Sequence, residues 1–234
     1  MTAVGVEWGL PGALNYAARV DALVVVDVLS FSTSVCVAVE RGAQVYPHPG
    51  GAGARTLADE IGAVLAGRRT LTDAPSLSPT SLLDLPPDTR LVLPSPNGGT
   101  IAYSLVGQRC QVLTAALRNA SAVGRYLAEA RDIRSVVLVP AGERWPDESM
   151  RVAYEDQVGA GAVIARMLRV DPAVRLSAEA EAAVAAYERL RPLRDTPSGQ
   201  ELTERDFGDD IVLASAIDVT DVVPVLRDRC FVAA

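Results

Sequence analysis

The sequence predicts an α/β protein, a mostly parallel or mixed sheet layered between helices, and three observations predict it. First, short apolar runs recur without the polar alternation of a half-exposed sheet, at Ala22 to Val26, Leu91 to Leu93, Gln111 to Thr114 and Ser135 to Pro140. Strands covered on both faces read in this way. Second, each run passes into a cluster of Ser, Thr, Asn, Asp or Gly and most continue into a helical stretch, the order that builds parallel sheets with crossover helices. Third, hydrophobic residues make up 49% and charged residues 22% of the chain, the balance of a globular core rather than a disordered chain. A length of 234 residues accommodates one large domain or two unequal lobes. With no internal repeat, low-complexity segment or linker, residues 1–234 are assigned to a single α/β domain.

The elements follow in order. Ala3 to Trp8 is expected as a first strand and Pro11 to Ala18 as a turn or short helix. Ala22 to Val26 is β-branched and ends at Asp27. Ser30, Ser32, Thr33 and Ser34 then offer N-cap oxygens to a helix through Val39, with Gly42 as its C-terminal stop. Ala43 to Tyr46 is a further strand. It leads through Gly50, Gly51 and Gly53 to a helix from about Arg55 to Ala66; this Gly-rich turn lacks a Walker lysine and does not fit the dinucleotide fingerprint. Leu71 to Pro87 is expected as a surface loop. Pro94-Ser95-Pro96-Asn97-Gly98-Gly99-Thr100 makes a tight turn into a helix ending near Val106, and Arg118-Asn119-Ala120-Ser121 opens another to about Arg131. After Ser135 to Pro140 and a charged loop at Trp145 to Glu148, small residues fill a helix over Val158 to Ile164, and such glycines imply close packing against a neighbour. Ala178 to Leu190 is an alanine-rich helix and Asp195 to Asp209 a polar turn with a short helix. Strands are expected at Ile211 to Ala216 and Val222 to Leu226.

Composition excludes several function classes. A net charge of -7 argues against a nucleic-acid binder, which needs basic surface. The single histidine, His48, sits between two prolines as a turn residue and leaves no partner for a histidine-dependent triad or a two-histidine metal centre. Cys36, Cys110 and Cys230 are odd in number and lie in apolar runs, the pattern of buried thiols. Neither Cys36 nor Cys110 is followed six residues later by arginine, and Leu29 stands where an aspartyl-phosphate enzyme needs a second acid. Val4, Gly5 and Val6 lead into Glu7 without a signal sequence, and no apolar run is long enough to span a bilayer. The expectation is a cytoplasmic protein with no membrane partner.

Hard-acid chemistry with oxygen ligands remains. Asp27 closes a buried strand, and Glu155 and Asp156 open the small-residue helix; a few such carboxylates with water hold Mg²⁺. Ser32, Thr33, Ser95, Gly98, Gly99, Thr100, Arg118 and Asn119 lie where strands pass into helices, on the edge where parallel sheets bind ligands. Each taken alone is a capping residue or a salt bridge; their recurrence at successive strand ends is the signal.

Six blocks carry a resemblance: VVVDVLSFSTSV at Val24 to Val35, PSPNGGT at Pro94 to Thr100, RNASAVG at Arg118 to Gly124, PAGERW at Pro140 to Trp145, YEDQVGAGAVI at Tyr154 to Ile164, and SGQEL with FGDDI within Ser198 to Ile211. In this order they resemble the 2-phosphosulfolactate phosphatases, Mg²⁺-dependent hydrolases associated with coenzyme M biosynthesis. The resemblance implies a phosphosulfolactate phosphatase-like α/β fold outside the common phosphatase superfamilies, hydrolysis of a small sulfonated phosphate ester, Mg²⁺ and a homodimer. Asp27, Asn97 and Glu155 are the candidate catalytic residues, with Asp27, Glu155 and Asp156 on the metal and Ser32, Thr33, Ser95, Gly98, Gly99, Thr100, Arg118 and Asn119 on the substrate. The chain departs from the family where an arginine follows the leucine of the first block; here Ser30 and Phe31 stand instead. Arg118, Arg144 or Arg151 is expected to supply that charge. A phosphosulfolactate phosphatase, a non-catalytic binder of a phosphorylated metabolite and a phosphatase for another small ester all fit these residues.

Overall fold

The computed structural model describes residues 1–69 and 74–234. Its elements are β1 (Ala3–Val6), α1 (Gly9–Tyr16), β2 (Ala22–Val26), α2 (Phe31–Glu40), β3 (Gln44–His48), α3 (Ala52–Ile61), β4 (Val64–Leu65), β5 (Arg90–Pro94), α4 (Gly98–Ser104), β6 (Gln111–Ala115), α5 (Ala120–Glu129) and β7 (Ser135–Pro140). They continue with the short hairpin β8 (Glu143–Arg144) and β9 (Met150–Arg151), then α6 (Tyr154–Val170), β10 (Arg175–Leu176), α7 (Ala178–Glu188), α8 (Pro197–Glu204), α9 (Gly208–Ser215), β11 (Pro224–Arg227) and β12 (Cys230–Ala233).

Among the described residues ten strands form one mixed, mostly parallel sheet in the order β10-β1-β7-β2-β6-β11-β12-β3-β5-β4. It consists of two parallel blocks, β10 to β6 and β3 to β4. The hairpin β11–β12 joins them, antiparallel to β6 on one side and to β3 on the other. Every residue of β2 is buried, because the strand is covered on both faces. Val24 and Val26 pack with Val158, Val163 and Ile164 of α6, whereas Leu23 and Val25 pack with Ile101 and Leu105 next to α4. The same division repeats at β5, where Leu91 and Leu93 join Phe31 and Phe231 while Val92 faces Leu57 of α3.

The glycines of α6 do pack closely. A Cβ on Gly161 would lie 2.0 Å from the Ala183 carbonyl oxygen of α7, and one on Gly159 would lie 2.7 Å from Val28.

Several expectations are corrected. Ile211 to Ala216 is not a strand but lies in and just after α9, with Asp210, Ile211 and Ala214 buried and Val212 73% exposed. That is a helical stripe entered through two first-turn acids, and a short apolar run does not by itself separate it from a strand. The helix expected to reach Ala66 stops at Gly62, whose φ of 64° ends it, leaving room for β4. His48 is the buried last residue of β3 rather than a turn residue; its Nδ1 accepts from the Gly50 amide. Of the loop expected at Leu71 to Pro87, residues 71–73 lie outside the described residues. From Ala74 onward it is not a surface loop, since Leu82 and Leu85 are core residues beside Val35. The hairpin β8–β9 and the strands β10 and β12 had no counterpart in the expectations, being too short to show a period. Among the described residues no helix is long and apolar enough to cross a membrane.

Candidate active site

The carboxyl ends of β2, β5 and β7 and the start of α6 meet at Asp27. The side chain is 6% exposed, and its two oxygens join both blocks of the sheet. Oδ1 accepts from the Phe31 amide at the start of α2 (3.1 Å), and Oδ2 from the Gly98 amide at the start of α4 (2.9 Å). A carboxylate at a helix start is favoured by the free N–H groups there. Position 98 must be glycine for this approach, because a Cβ would lie 2.7 Å from Asp27 Oδ2 and 2.7 Å from the Phe31 ring.

The next residue on the strand end is held in turn by Asp156, whose Oδ1 accepts from the Val28 amide (2.8 Å) and Oδ2 from the Gly142 amide (2.9 Å). Asp156 thereby ties the ends of β2 and β7 to α6. Beside it, Glu155 is 1% exposed, and its Oε2 is buried without a hydrogen-bond partner. Glu143, just past β7, accepts from Asn97 Nδ2 at 2.9 Å.

These acids crowd one another. Burial pushes the Asp27 carboxyl above its usual range, against the two amides and the Arg69 charge that favour ionisation. Asp156 is pushed up strongly by burial and then by Asp27 and Glu155. Glu143 is raised to about 7, first by burial and then by Asp27, with the Asn97 hydrogen bond opposing. A proton shared between such groups near neutrality is the condition for general acid–base work.

A cleft of about 200 Å³ opens over this cluster, and its lining includes two arginines. Asp27, Asn97, Glu143, Arg69, Arg205, Ser198 and Glu201 are among the residues that line it. Arg69 comes from the segment after β4, and its guanidinium donates to Ser30 Oγ and to the Leu77 carbonyl. A guanidinium therefore stands at position 30 although the residue there is serine. Arg151, named from the sequence as a charge source, pairs bidentately with Glu201 at 2.7 and 3.1 Å. Arg144 pairs with Glu148. Arg69 and Arg205 were not singled out from the sequence, since each lies outside the strand ends that the motifs mark.

The remaining candidates fall into two groups. Ser95, Asn97 and Asp27 line the cleft, and Gly98 and Gly99 begin α4 beside it. Others have their polar atoms engaged internally. Ser32 Oγ accepts from the Asp27 amide and lies 3.2 Å from the Val25 carbonyl and 2.6 Å from Thr114 Oγ1. Thr33 Oγ1 donates to Val28 and Thr100 Oγ1 to Ser95. Asn119 holds the Ala116 amide and the Val222 carbonyl, and Arg118 reaches Leu213 and Glu40. Arg118 and Asn119 thus brace α9 and the segment before β11, and the structure does not bring either into the cleft. The helix starts expected to receive phosphate are engaged as well, because Asp27 itself takes the amides of Phe31 and Gly98.

Among the described residues no three or more His, Cys, Asp and Glu side chains group as a cage that could hold a metal. Asp156 has both oxygens on amides. Asp27 and Glu155 do fit an ion held by one or two carboxylates, water and substrate, because Glu155 keeps a buried oxygen without a partner.

Residues 11–229 match a family model described as 2-phosphosulpholactate phosphatase. Two similar curated proteins carry the description "Probable 2-phosphosulfolactate phosphatase". The one from Parasynechococcus marenigrum (strain WH8102) is 31% identical over 92% of this chain and 93% of its own length. The one from Carboxydothermus hydrogenoformans (strain ATCC BAA-161 / DSM 6008 / Z-2901) is 30% identical over 87% of this chain and 85% of its own.

Proposed function

Because the chain belongs to the 2-phosphosulfolactate phosphatase family, we propose that the cleft at Asp27 hydrolyses the phosphate ester of a small acidic hydroxy acid, 2-phosphosulfolactate to sulfolactate and phosphate. The family is one of phosphoric monoester hydrolases, and the observation that carries the finer reading is the cleft's polarity. Buried Asp27 and the protonatable Glu143 share one cleft with the guanidinium groups of Arg69 and Arg205.

Each residue then has a task. Asp27 and Glu155 would hold Mg²⁺, which supplies charge neutralisation on the phosphoryl oxygens. Asp156 keeps the ends of β2 and β7 in register with α6, so that Asp27 and Glu155 stay together. Glu143 carries a proton near neutral pH and gives it to the oxygen that leaves phosphorus. The attacking water contributes its hydroxyl to phosphate, and its remaining proton restores Glu143. Asn97 fixes the Glu143 carboxyl by donating to Oε2. A homodimer belongs to the same reading through the family resemblance alone.

The test is phosphate release from 2-phosphosulfolactate by purified protein with Mg²⁺ and with EDTA. Release that EDTA abolishes and Mg²⁺ restores is expected. Tight binding of the ester without release under either condition would mark a binding protein and end the hydrolase reading.

A further inference from the structure

Glu143 carries the proton in the phosphatase reading, yet an arginine stands directly across from it. The hairpin β8–β9 pairs Glu143 with Arg151 and Arg144 with Met150. Opposed residues of an antiparallel pair project from one face with Cβ atoms about 5 Å apart, within reach for opposite charges to meet. Here they do not meet. Among the described residues Arg151 forms no ion pair with Glu143, because its two terminal nitrogens donate to Glu201 of α8 at 2.7 and 3.1 Å. The same guanidinium lies 5.5 Å from the Trp145 ring centroid. Arg144, next along the strand, pairs with Glu148. Glu143 is left with Asn97, whose Nδ2 donates to Oε2 at 2.9 Å.

The diversion of Arg151 matters because of what else surrounds Glu143. Burial first, then Asp27 at the end of β2 and Glu155 on α6, favour its protonated form, while Asn97 and Arg151 oppose it. Arg69, from the segment after β4, is a second cation in this field; burial disfavours its charge, and Asp210, Asp27 and Glu143 support it. An arginine that closed on Glu143 would favour the carboxylate over the acid, since an opposite charge within a few Å stabilises the ionised form. A carboxylate has no proton to give.

We propose that Glu201 is a positioning residue: by taking Arg151 bidentately it holds that cation off Glu143 and so preserves the neutral carboxyl that protonates the leaving oxygen. This rests on the phosphatase reading and adds to it a residue of α8 that acts through Arg151. The ion pair also ties the hairpin to α8, and the two roles differ in a measurable way. A tie is lost whichever partner is removed, whereas a diverted charge does harm only while Arg151 is still there.

The experiment measures kcat for 2-phosphosulfolactate and p-nitrophenyl phosphate near neutral pH in the native protein, Glu201→Gln, Arg151→Met and the double variant, with circular dichroism as the folding control. In Glu201→Gln the freed Arg151 pairs with Glu143, and kcat for 2-phosphosulfolactate is expected to fall roughly tenfold or more. The nitrophenyl ester, whose leaving group needs no proton, loses far less. The double variant removes the freed cation and is expected to recover most of the lost turnover. A double variant no more active than Glu201→Gln would overturn the proposal, and so would equal losses for the two esters, because a simple tie produces both. If the native protein hydrolyses neither ester, the phosphatase reading has failed, and the carboxyl ¹³C resonance of Glu143, identified by its loss in Glu143→Gln, decides the role of Glu201. A titration midpoint lowered by about one pH unit or more in Glu201→Gln and restored in the double variant supports it; an unchanged midpoint overturns it.

Discussion

Replacing Glu143 by glutamine separates two consequences of one raised carboxyl. In an unfolded chain the group has an ordinary value of 4.5, whereas in the fold it is lifted to about 7 by burial, Asp27 and Glu155. Below 4.5 both states carry the proton and the group favours neither. Between 4.5 and about 7 the unfolded chain releases the proton and the folded one keeps it, so stability falls as pH rises, and above 7 the loss is complete. At 1.36 kcal/mol per unit the displacement corresponds to an upper bound on the order of 3 kcal/mol. Glutamine removes the charge and still offers an oxygen to Asn97, so Glu143→Gln is expected to be more stable than the native protein above pH 7 and equal to it near pH 4. Urea unfolding in EDTA at a series of pH values reads this directly. Activity moves in the opposite sense. The variant has no proton to give, so turnover of an alkyl phosphate falls by about 10² or more, whereas p-nitrophenyl phosphate, whose leaving group needs no proton, loses far less. A variant as pH-sensitive in stability as the native protein, or one that loses both substrates equally, would refute the assignment of the proton to Glu143.

Two further substitutions test the junction at Asp27. Asp27→Asn keeps one acceptor but turns an amide NH₂ toward the Phe31 or Gly98 N–H, an expected stability loss of about 1–2 kcal/mol with turnover reduced by about 10² or more; chemical denaturation and phosphate release measure the two, and turnover within twofold of native would remove Asp27 from the mechanism. Gly98→Ala puts a Cβ where Asp27 Oδ2 and the Phe31 ring already lie, so it should cost about 1–3 kcal/mol and displace Asp27 as well. Gly161→Ala is more crowded still, 2.0 Å from the Ala183 carbonyl oxygen, but lies on the α6–α7 packing face; it should destabilise at least as much while the folded fraction keeps its kcat, and equal loss of kcat in both would show that activity follows stability alone.

The α/β architecture was legible because β2, β5, β6 and β7 are buried on both faces and their residues are therefore apolar without alternation. Their pairing order was not, because it depends on the β11–β12 hairpin, whose eight residues carry no periodic signal of where they insert. Cys230 to Ala233 reads as an ordinary tail until Phe231 is seen packed on Phe31 at 6.2 Å. At α9 the pattern misled for a different reason. Ile211 to Ala214 is uniformly apolar, yet Val212 faces outward, and only Asp209 and Asp210 before it mark a helix start.

The sequence marked Asp27, Glu155 and Asp156 but not Glu143, Arg69 or Arg205, which the structure adds to the cleft, and the cause is the reach of the side chains. Short polar residues at a strand end first satisfy the backbone beside them, as Ser32, Thr33 and Asn119 do, and a polar cluster in the sequence does not say which members have atoms left over. Even Asp27, read as open to a cation, turns both oxygens to amides and occupies the helix starts that the sequence offered to phosphate. What remains unengaged is set by tertiary crowding, as at Glu155 Oε2, or arrives on long side chains from distant segments, as at Arg69 and Arg205. The charge absent from position 30 is regained in that second way. A guanidinium need not share a motif with the carboxylate it lies near when four methylene-length bonds carry it from the segment after β4, and so the motif blocks alone do not show that Arg69 and Arg205 line one cleft with Asp27 and Glu143.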